Sequence, residues 1–274
     1  MSKKVTSGNE SKLEFSKLLK EYEKFSILLA KKAGGVLLKN ITKRKKITYK
    51  LKTNFKIEID DKVDSLLRSD IIKQYPGHNI LSEESSAINN NSDWTWIFDP
   101  LDGTLNYTLG VSDHFAVSIA LAYKKNPVVG VIYLPQRNEL YTAAKGQGAF
   151  CNNKLISISP LTNINHSVIG IDYGKINRKK IIPFLNRMLE ADGINYPVTY
   201  ASSVTALTFV ACGKIQGYAA YKLEPWDMAA AFILITEAGG MATTIKGSAW
   251  DINEESILAG PITIHKKLLA YLFK

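Results

Sequence analysis

The stretch of sequence that most constrains the fold is residues 96–107, which read WIFDPLDGTLNY. An apolar run typical of a buried strand ends in two carboxylates, Asp99 and Asp102, and the proline and glycine beside them indicate a tight turn. Two anions this close repel each other unless a cation neutralises them, and Mg²⁺ is bound by carboxylates together with water and substrate phosphate. The amides of Gly103 and Thr104 would open the next turn as a phosphate site. The segment predicts a magnesium site, while the alternative that the two aspartates only cap a turn stays open at this point.

Two further acidic segments lie at the ends of predicted elements. Glu83 and Glu84 follow a short apolar run at 79–81 that reads as a strand, and Asp227 begins a helix rich in small residues. Adjacent residues of a strand point to opposite faces, so only one of the two glutamates can face Asp99, and the other would lie behind it. Taken singly, the glutamates read as a solvated surface and Asp227 as a helix N-cap. Together with the two aspartates of the turn, they favour one shared metal site.

Hydrophobic periodicity predicts an α+β protein built from stacked layers of helix and sheet. After a loose tail at residues 1–10, apolar residues at three- and four-residue steps predict two helices, and strand patterns then predict a mostly antiparallel sheet. Helices alternate with strands further on. We divide the chain into an N-terminal α+β part (1–160) that carries the metal motifs and a C-terminal α/β part (161–274) that completes the site. The predicted helices are 15–29, 60–74, 178–191, 203–212 and 226–238, and the predicted strands are 94–98, 115–123, 127–134, 139–144, 217–221 and 241–245.

Composition narrows the class of protein. The chain has 274 residues, of which 46% are hydrophobic and 22% charged, as in folded globular proteins. No apolar run approaches the ~20 residues needed to cross a bilayer, and the N-terminus lacks the apolar stretch of a secretory signal, so we expect a cytoplasmic protein without a membrane segment. The net charge of +10 favours anions in general. The densest basic run, 43–46, has no interleaved aromatics and reads as a solvated turn, so nucleic acid is not the expected partner. Cys151 and Cys212 lack metal-ligand spacing and are expected to be reduced thiols.

Three motifs together resemble the signatures of a known family. Residues 83–85 (EES), 99–107 (DPLDGTLNY) and 226–230 (WDMAA) are similar, in order and approximate spacing, to the motifs of the inositol monophosphatase family. Residues 145–150 (KGQGAF) and 236–240 (TEAGG) add to this similarity, which spans roughly Leu13 to the C-terminus.

The resemblance implies a layered α-β-α-β-α sandwich, usually a homodimer, that hydrolyses phosphate monoesters with two or three Mg²⁺ ions and is inhibited by Li⁺. It implies a leaving-group pocket and a phosphate site that share residues with the metal site. Carried over by position, the implied metal ligands are Glu83, Asp99, the Leu101 carbonyl, Asp102 and Asp227, with Glu84 behind them. The implied substrate contacts are Asp102, Gly103, Thr104, Ser202, Ser203 and Asp227, and the implied catalytic group is Thr104, Glu83 and Asn54.

Three departures from the family pattern bear on activity and specificity. Asn54 stands where the family usually has an Asp that pairs with the motif threonine; an amide can hydrogen-bond Thr104 but cannot accept a proton, so Asn54→Asp is expected to raise kcat. Ala220 stands where many inositol-hydrolysing relatives carry a Glu, and the pair Ala201-Ser202 replaces Gly-Ser. The last two changes affect inositol specificity more than phosphatase chemistry, because the metal motifs are intact.

The sequence thus predicts an Mg²⁺-dependent phosphatase for a small sugar or polyol monophosphate, nominally inositol monophosphate. Fructose bisphosphate, histidinol phosphate, phosphoadenosine phosphate and NADP remain alternative substrates within the family. The pair Asn106-Tyr107 resembles the inositol branch more than the Lys-Glu of nucleotide-directed relatives. The alternative of a different kind is a catalytically weak binding or regulatory protein that kept the metal site.

Overall fold

Two large β-sheets alternate with three layers of helices in this computed structural model, which describes residues 4–43, 47–51, 54–173, 178–190 and 193–273, and the first two strands form a separate two-stranded sheet. The elements of the first half are α1 Lys4–Asn40, β1 Ile47–Leu51, β2 Asn54–Ile57, α2 Glu58–Gln74, β3 Asn79–Ser82, β4 Trp94–Asp102, α3 Thr104–Leu109, β5 Ala116–Tyr123, β6 Asn126–Leu134, β7 Glu139–Ala144, β8 Ala149–Cys151 and β9 Lys154–Leu155. Those of the second half are β10 Val168–Asp172, α4 Ile182–Met188, β11 Tyr196–Val198, α5 Ser203–Ala211, β12 Gly217–Tyr221, α6 Pro225–Glu237, β13 Met241–Thr243, β14 Ser256–Gly260 and α7 Ile262–Phe273.

The larger sheet carries the strands predicted between residues 79 and 144 and has the order β3-β4-β5-β6-β7-β8-β9. Only β3 and β4 run parallel within it, so the prediction of a mostly antiparallel sheet is confirmed. Its strands are apolar on both faces because both faces are covered. In β5, Val117 and Ile119 pack toward α1 and α2, whereas Ala116 and Ala120 pack toward α5 and α6. The small residues on the second face leave room for a helix.

Helix α6 lies against β6 at a distance that only a glycine allows. A Cβ atom on Gly130 would lie 2.3 Å from a methyl carbon of Ile233 and 2.5 Å from the carbonyl oxygen of Ala230. The Ser118 hydroxyl of β5 donates to the Trp226 carbonyl at 3.2 Å, and Ser118 is the register partner of Asp99 in β4. The sheet therefore fixes the first turn of α6 beside the end of β4.

The smaller sheet, with the order β11-β10-β12-β14-β13, closes the other side of α5 and α6. Tyr218 and Ala220 of β12 pack toward those helices, and Ala219 packs with α4 and α7 on the outer face. The result is helix, sheet, helix, sheet and helix, which confirms the predicted α-β-α-β-α sandwich. The core between the sheets contains residues from both sides of position 160, and a division of the chain there stays a prediction.

Two predicted boundaries were wrong. Helix α1 begins at Lys4, where a loose tail was expected, because adding residues to an existing helix gains one hydrogen bond each and needs no apolar face. The helix predicted at 178–191 is a 3-10 turn over Arg178–Ile181 followed by the short α4, because Pro183 lacks an N–H and is tolerated only in a first helical turn. Of the basic run at 43–46, which was predicted to be a solvated turn, residues 44–46 lie outside the described residues.

The structure also bears on the membrane and cysteine predictions. Among the described residues, no helix combines the length and the apolar character needed to cross a membrane. Cys151 and Cys212 are free thiols and both are partly buried.

A buried histidine in α7 makes the stability of the fold depend on pH. His265 is 1% exposed, its Nε2 lies 2.8 Å from the Thr243 hydroxyl, and burial lowers its pKa to about 4. The unfolded chain, with an ordinary histidine pKa of about 6.5, binds the proton first as the pH falls. The contribution of neutral His265 is fully present above pH ~6.5 and is lost as the pH falls to ~4, by about 3 kcal/mol in all.

We therefore expect urea unfolding of the wild type to give a lower free energy of unfolding at pH 5 than at pH 7.5. In His265→Gln, whose amide can still hydrogen-bond Thr243, this difference between the two pH values should be smaller. Equal differences in the two proteins would assign the pH dependence to other groups.

Candidate metal centre

Three buried carboxylates meet where β4 ends and α6 begins. One ligand oxygen from each of Asp99, Asp102 and Asp227 lies within 4.8 Å of the others. The three side chains are nearly inaccessible to solvent. The structure thus brings together the aspartates that the sequence analysis selected from two distant motifs.

The electrostatics of this cluster favour a cation. Burial raises the pKa of the Asp99 carboxyl well above its usual range, and the negative charges of Glu83, Asp102 and Asp227 raise it further. Buried like charges are stable together only when protons or a metal ion neutralise them. All of the side-chain donors are hard oxygen atoms, the kind that Mg²⁺ prefers. The residues present therefore fit a magnesium site.

A bulge in β4 turns Asp99 and Asp102 to the same side. Residues three apart in a regular strand point to opposite faces, but the register with β5 shifts between these two aspartates. Within the bulge, the N–H of Leu101 donates to Oδ1 of Asp99 at 2.9 Å, which closes a turn around the proline. The local turn chemistry, more than the strand, sets the direction of both carboxylates.

Gly103 connects the bulge to α3 with a left-handed backbone. Its φ is 79°, and a Cβ atom there would lie 2.5 Å from the carbonyl oxygen of His114. Thr104 begins α3, and its hydroxyl donates to the Leu101 carbonyl at 3.1 Å. The Leu101 carbonyl is the predicted backbone ligand, so Thr104 lies directly beside it. The assignment of phosphate to the amides of Gly103 and Thr104 stays a prediction.

Asn106 and Tyr107, the last two residues of the 99–107 motif, hold α3 in place. The amide of Asn106 donates to the carbonyls of His114 at 2.7 Å and Tyr200 at 2.8 Å. The hydroxyl of Tyr107 donates to the carbonyl of Leu37 in α1 at 2.8 Å. The structure thus gives both side chains a role in fixing the backbone of α3.

Helix α5 holds Asp102 through its N-terminus. The Ser202 hydroxyl donates to Oδ2 of Asp102, and the N–H of Val204 donates to the same oxygen at 3.2 Å. Ser202 is also the N-cap of α5 and accepts from the N–H of Thr205 at 3.1 Å. Ser203 points elsewhere, and its hydroxyl donates to Asp172 at 3.2 Å. The substrate contacts predicted for Ser202 and Ser203 stay predictions; what the structure adds is the bond from Ser202 to Asp102.

Asp227 belongs to the first turn of α6. The helix begins at Pro225, and Oδ2 of Asp227 accepts the N–H of Glu224 at 2.9 Å. The simpler interpretation of Asp227 as the helix N-cap was therefore wrong, because Glu224 is the N-cap and Asp227, at the third helical position, bonds back to it while it also lies with the other carboxylates.

Glu83 is the glutamate that acts on Asp99. Its charge is the largest single contribution to the raised Asp99 pKa after burial. The effect of Glu83 agrees with the expectation that one member of the pair faces the cluster. Residues 83–85 form a bend outside the strand, so the place of Glu84 behind the cluster stays a prediction.

Asp60 is a buried carboxylate near α3 that the sequence analysis did not select. It lies in the first turn of α2, is 2% exposed, and its Oδ2 accepts the N–H of Ile57 at 2.8 Å. Its charge helps to raise the pKa of Tyr107, which shares α3 with Thr104. In the sequence, Asp60 is an acidic residue at the start of a predicted helix, a pattern that is typical of an ordinary helix cap and did not single it out. Asn54, the residue chosen instead, begins β2, and its side chain lies outside the described part of the structure.

The two remaining motifs meet each other away from the cluster. The carboxylate of Glu237 in the TEAGG motif accepts the N–H groups of Gly146 and Gly148 in the KGQG motif, each at 2.8 Å. A charged acceptor shared by two backbone donors fixes the turn between β7 and β8 to the end of α6. These motifs support the position of α6, and hence of Asp227.

Comparisons with known proteins identify the family of this chain. A model of the inositol monophosphatase family matches residues 18–274. An inositol monophosphatase of Dictyostelium discoideum is 32% identical over 263 residues, which cover 93% of this chain and 96% of that protein. The Nus factor SuhB of Haemophilus influenzae is 34% identical over 251 residues, covering 89% and 92% of the two chains. The crystal structure of the extragenic suppressor protein suhB from Bartonella henselae superimposes with a TM-score of 0.85 at 30% identity and covers 91% of this chain and 97% of that one. This chain therefore belongs to the inositol monophosphatase family.

Proposed function

We propose that this protein hydrolyses a small phosphate monoester with the help of Mg²⁺. The observation that carries the proposal is the buried cluster of Asp99, Asp102 and Asp227 at one point in the structure. Family membership supports the same reaction class. The groups that would hold the metal are the three aspartates, Glu83 and the Leu101 carbonyl.

When bound, Mg²⁺ would lower the pKa of a water and neutralise charge on the phosphate. The chain's own groups supply the remaining requirements. The Thr104 hydroxyl, held by the Leu101 carbonyl at 3.1 Å, would orient the attacking water. The amides of Gly103 and Thr104 would bind phosphate oxygens, since Gly103 leaves that backbone uncovered by a side chain. The bond from Ser202 would keep Asp102 in one orientation.

The family usually has a carboxylate at the position of Asn54. We further propose that Asp60 supplies this carboxylate to α3 in the present chain. Asp60 is buried and acts electrostatically on a side chain of α3, and unlike an amide it can accept a proton. If Asp60 has this role, Asn54 is no longer expected to lower kcat.

The substrate that this site supports best is a small sugar or polyol monophosphate, with inositol monophosphate as the nominal case. Ala220 of β12 stands at the position where many inositol-hydrolysing relatives carry a Glu. It is fully buried against α5 and α6 and offers a substrate no polar contact. Narrow inositol specificity is therefore not part of the proposal. From family membership, we also propose a homodimer of the cytoplasm that Li⁺ inhibits.

The proposal is tested by phosphate release from a panel of phosphate monoesters. The panel contains inositol monophosphate, fructose bisphosphate, histidinol phosphate, phosphoadenosine phosphate and NADP, each with Mg²⁺ and with a chelator. We expect Mg²⁺-dependent release, highest with a sugar or polyol phosphate. Release that a chelator leaves unchanged, or no release from the whole panel, would contradict the proposal.

A second candidate is a binding role without turnover, which is favoured by similarity to a relative named a Nus factor and by the net charge of +10. If that role involves nucleic acid, RNA affinity should fall steeply with salt as counterions are released. It should also survive Asp99→Asn, because Asp99 is buried. Salt-independent binding, or none, would argue against this candidate.

A further inference from the structure

The segment that carries Glu83 is bonded to α2 on the side opposite the carboxylate cluster. β3 runs parallel to β4, with Ser82 opposite Phe98, and Phe98 packs in the core under α1 and α2. Ser82 therefore faces α2. Glu83 follows β3 in a bend, and its charge raises the pKa of Asp99, which belongs to the carboxylate cluster.

One carboxylate of α2 binds the chain on both sides of the glutamates. The Ser82 hydroxyl donates to Oδ1 of Asp64 at 2.6 Å, and the Ser85 hydroxyl donates to Oδ2 at 2.7 Å. The two hydroxyl oxygens are 3.1 Å apart. Asp64 thus fixes the two ends of the short segment that contains Glu83 and Glu84.

Arg68, one helical turn after Asp64, completes this network. Its Nε lies 3.7 Å from Oδ2 of Asp64, and its guanidinium donates to the Ser85 hydroxyl and, at 3.0 Å, to the Ser86 carbonyl. Asp64 and Ser82 are each 3% exposed. A guanidinium and two hydroxyl donors therefore surround the Asp64 carboxylate, and this buried hydrogen-bond network holds the segment in one arrangement.

We propose that Asp64 is a positioning residue of the metal centre: through Ser82 and Ser85 it sets the place of the Glu83 carboxylate. The inference rests on the proposed function only in taking the carboxylate cluster as a Mg²⁺ site. Groups that orient a metal ligand from behind contribute to affinity because a displaced ligand must be moved back before it can bind, and their loss typically weakens binding by about 10- to 100-fold.

The test is calorimetric titration of the full chain with Mg²⁺ alone, without substrate. Asp64→Asn removes the pairing with Arg68 and one acceptor, and Ser82→Ala removes one hydroxyl. We expect the Kd for Mg²⁺ to rise about 10- to 100-fold in both variants. Ser82→Thr, which keeps the hydroxyl, should stay closer to the wild type.

The matched control is Asp70→Asn on the same helix. Asp70 pairs with Lys32 of α1 at 2.6 Å at the surface, so the same chemical change there should alter the Kd by less than about twofold. Thermal unfolding of each variant without Mg²⁺ separates positioning from stability.

The possible results distinguish the two hypotheses. If Asp64→Asn and Ser82→Ala unfold at lower temperature but bind Mg²⁺ as the wild type does, the positioning role is wrong and the proposed function stands. If the wild type binds Mg²⁺ but releases no phosphate from any substrate, the proposed function fails, and the change in Kd alone decides the role of Asp64. A wild type that binds no Mg²⁺ overturns both. Should Asp64→Asn not fold, Ser82→Ala gives the decision.

Discussion

Asp99→Asn is expected to lower Mg²⁺-dependent phosphate release by about 10²- to 10³-fold and, at the same time, to stabilise the protein when no metal is present. Turnover falls because one charged ligand is lost from the centre. Stability rises because the variant removes one of four mutually repelling carboxylates, whose repulsion is evident in the raised pKa of Asp99. The amide Oδ1 of Asn can still accept the Leu101 N–H, so the bulge is retained. The measurements are kcat at saturating Mg²⁺ and the Tm in a chelator.

The matched control for this variant is Asp93→Asn, just before β4. Asp93 is an exposed acid that lies 3.7 Å from Lys124, far from the cluster, and its replacement should leave both kcat and Tm close to the wild type. Near-normal turnover of Asp99→Asn at saturating Mg²⁺ would remove Asp99 from the site. A lower Tm in the chelator would show that the metal-free cluster is already neutral, for example through shared protons.

Asp60→Asn is expected to lower kcat by about 10²-fold with little change in KM, because a carboxylate that accepts a proton near the attacking water acts on the chemical step. Asn keeps an acceptor for the Ile57 N–H, so the start of α2 should be preserved. Asn54→Asp, which the sequence alone predicts to raise kcat, should then change it by less than about twofold. The measurement is steady-state kinetics with the best substrate of the panel.

The neighbouring acid gives the control for Asp60. Asp61 is exposed in the same helical turn, and Asp61→Asn tests whether any loss of charge at the start of α2 suffices. A higher kcat in Asn54→Asp together with normal kcat in Asp60→Asn would restore the original assignment of Asn54. Equal losses in the variants at 60 and 61 would indicate an effect on the helix start.

Local chemistry explains what could be predicted from the sequence. The alternation along β5, the turn at Asp99 to Gly103 and the start of α6 each depend on neighbours within a few residues, so short patterns revealed them. The motif order then indicated one metal centre with four acidic side chains, and the structure brings three of them within 4.8 Å of each other, with Glu83 acting on Asp99.

Long-range contacts explain what could not be predicted. The bond from Ser202 to Asp102 joins residues 100 positions apart, and no local pattern indicates it. Asp60 and Asp64 read as ordinary acids of a helix start until the fold places one near α3 and the other under Ser82. The bulge in β4 is also hidden, because Pro100 suggested only a turn, whereas the register with β5 shows that pairing resumes at Asp102.

The glycine contact under α6 also bears on which ion the proposed centre would accept. Because Gly130 lets α6 lie directly on β6, and Ser118 holds the Trp226 carbonyl, the helix that carries Asp227 cannot move away from the sheet without losing these contacts. Ca²⁺ needs oxygen atoms at about 2.3–2.6 Å in a roomy, adaptable shell, whereas Mg²⁺ takes about 2.0–2.1 Å in a small and regular one. A site that resists widening would discriminate by ionic radius, so we expect the packing of small residues in the core to help the proposed centre to exclude the larger cation.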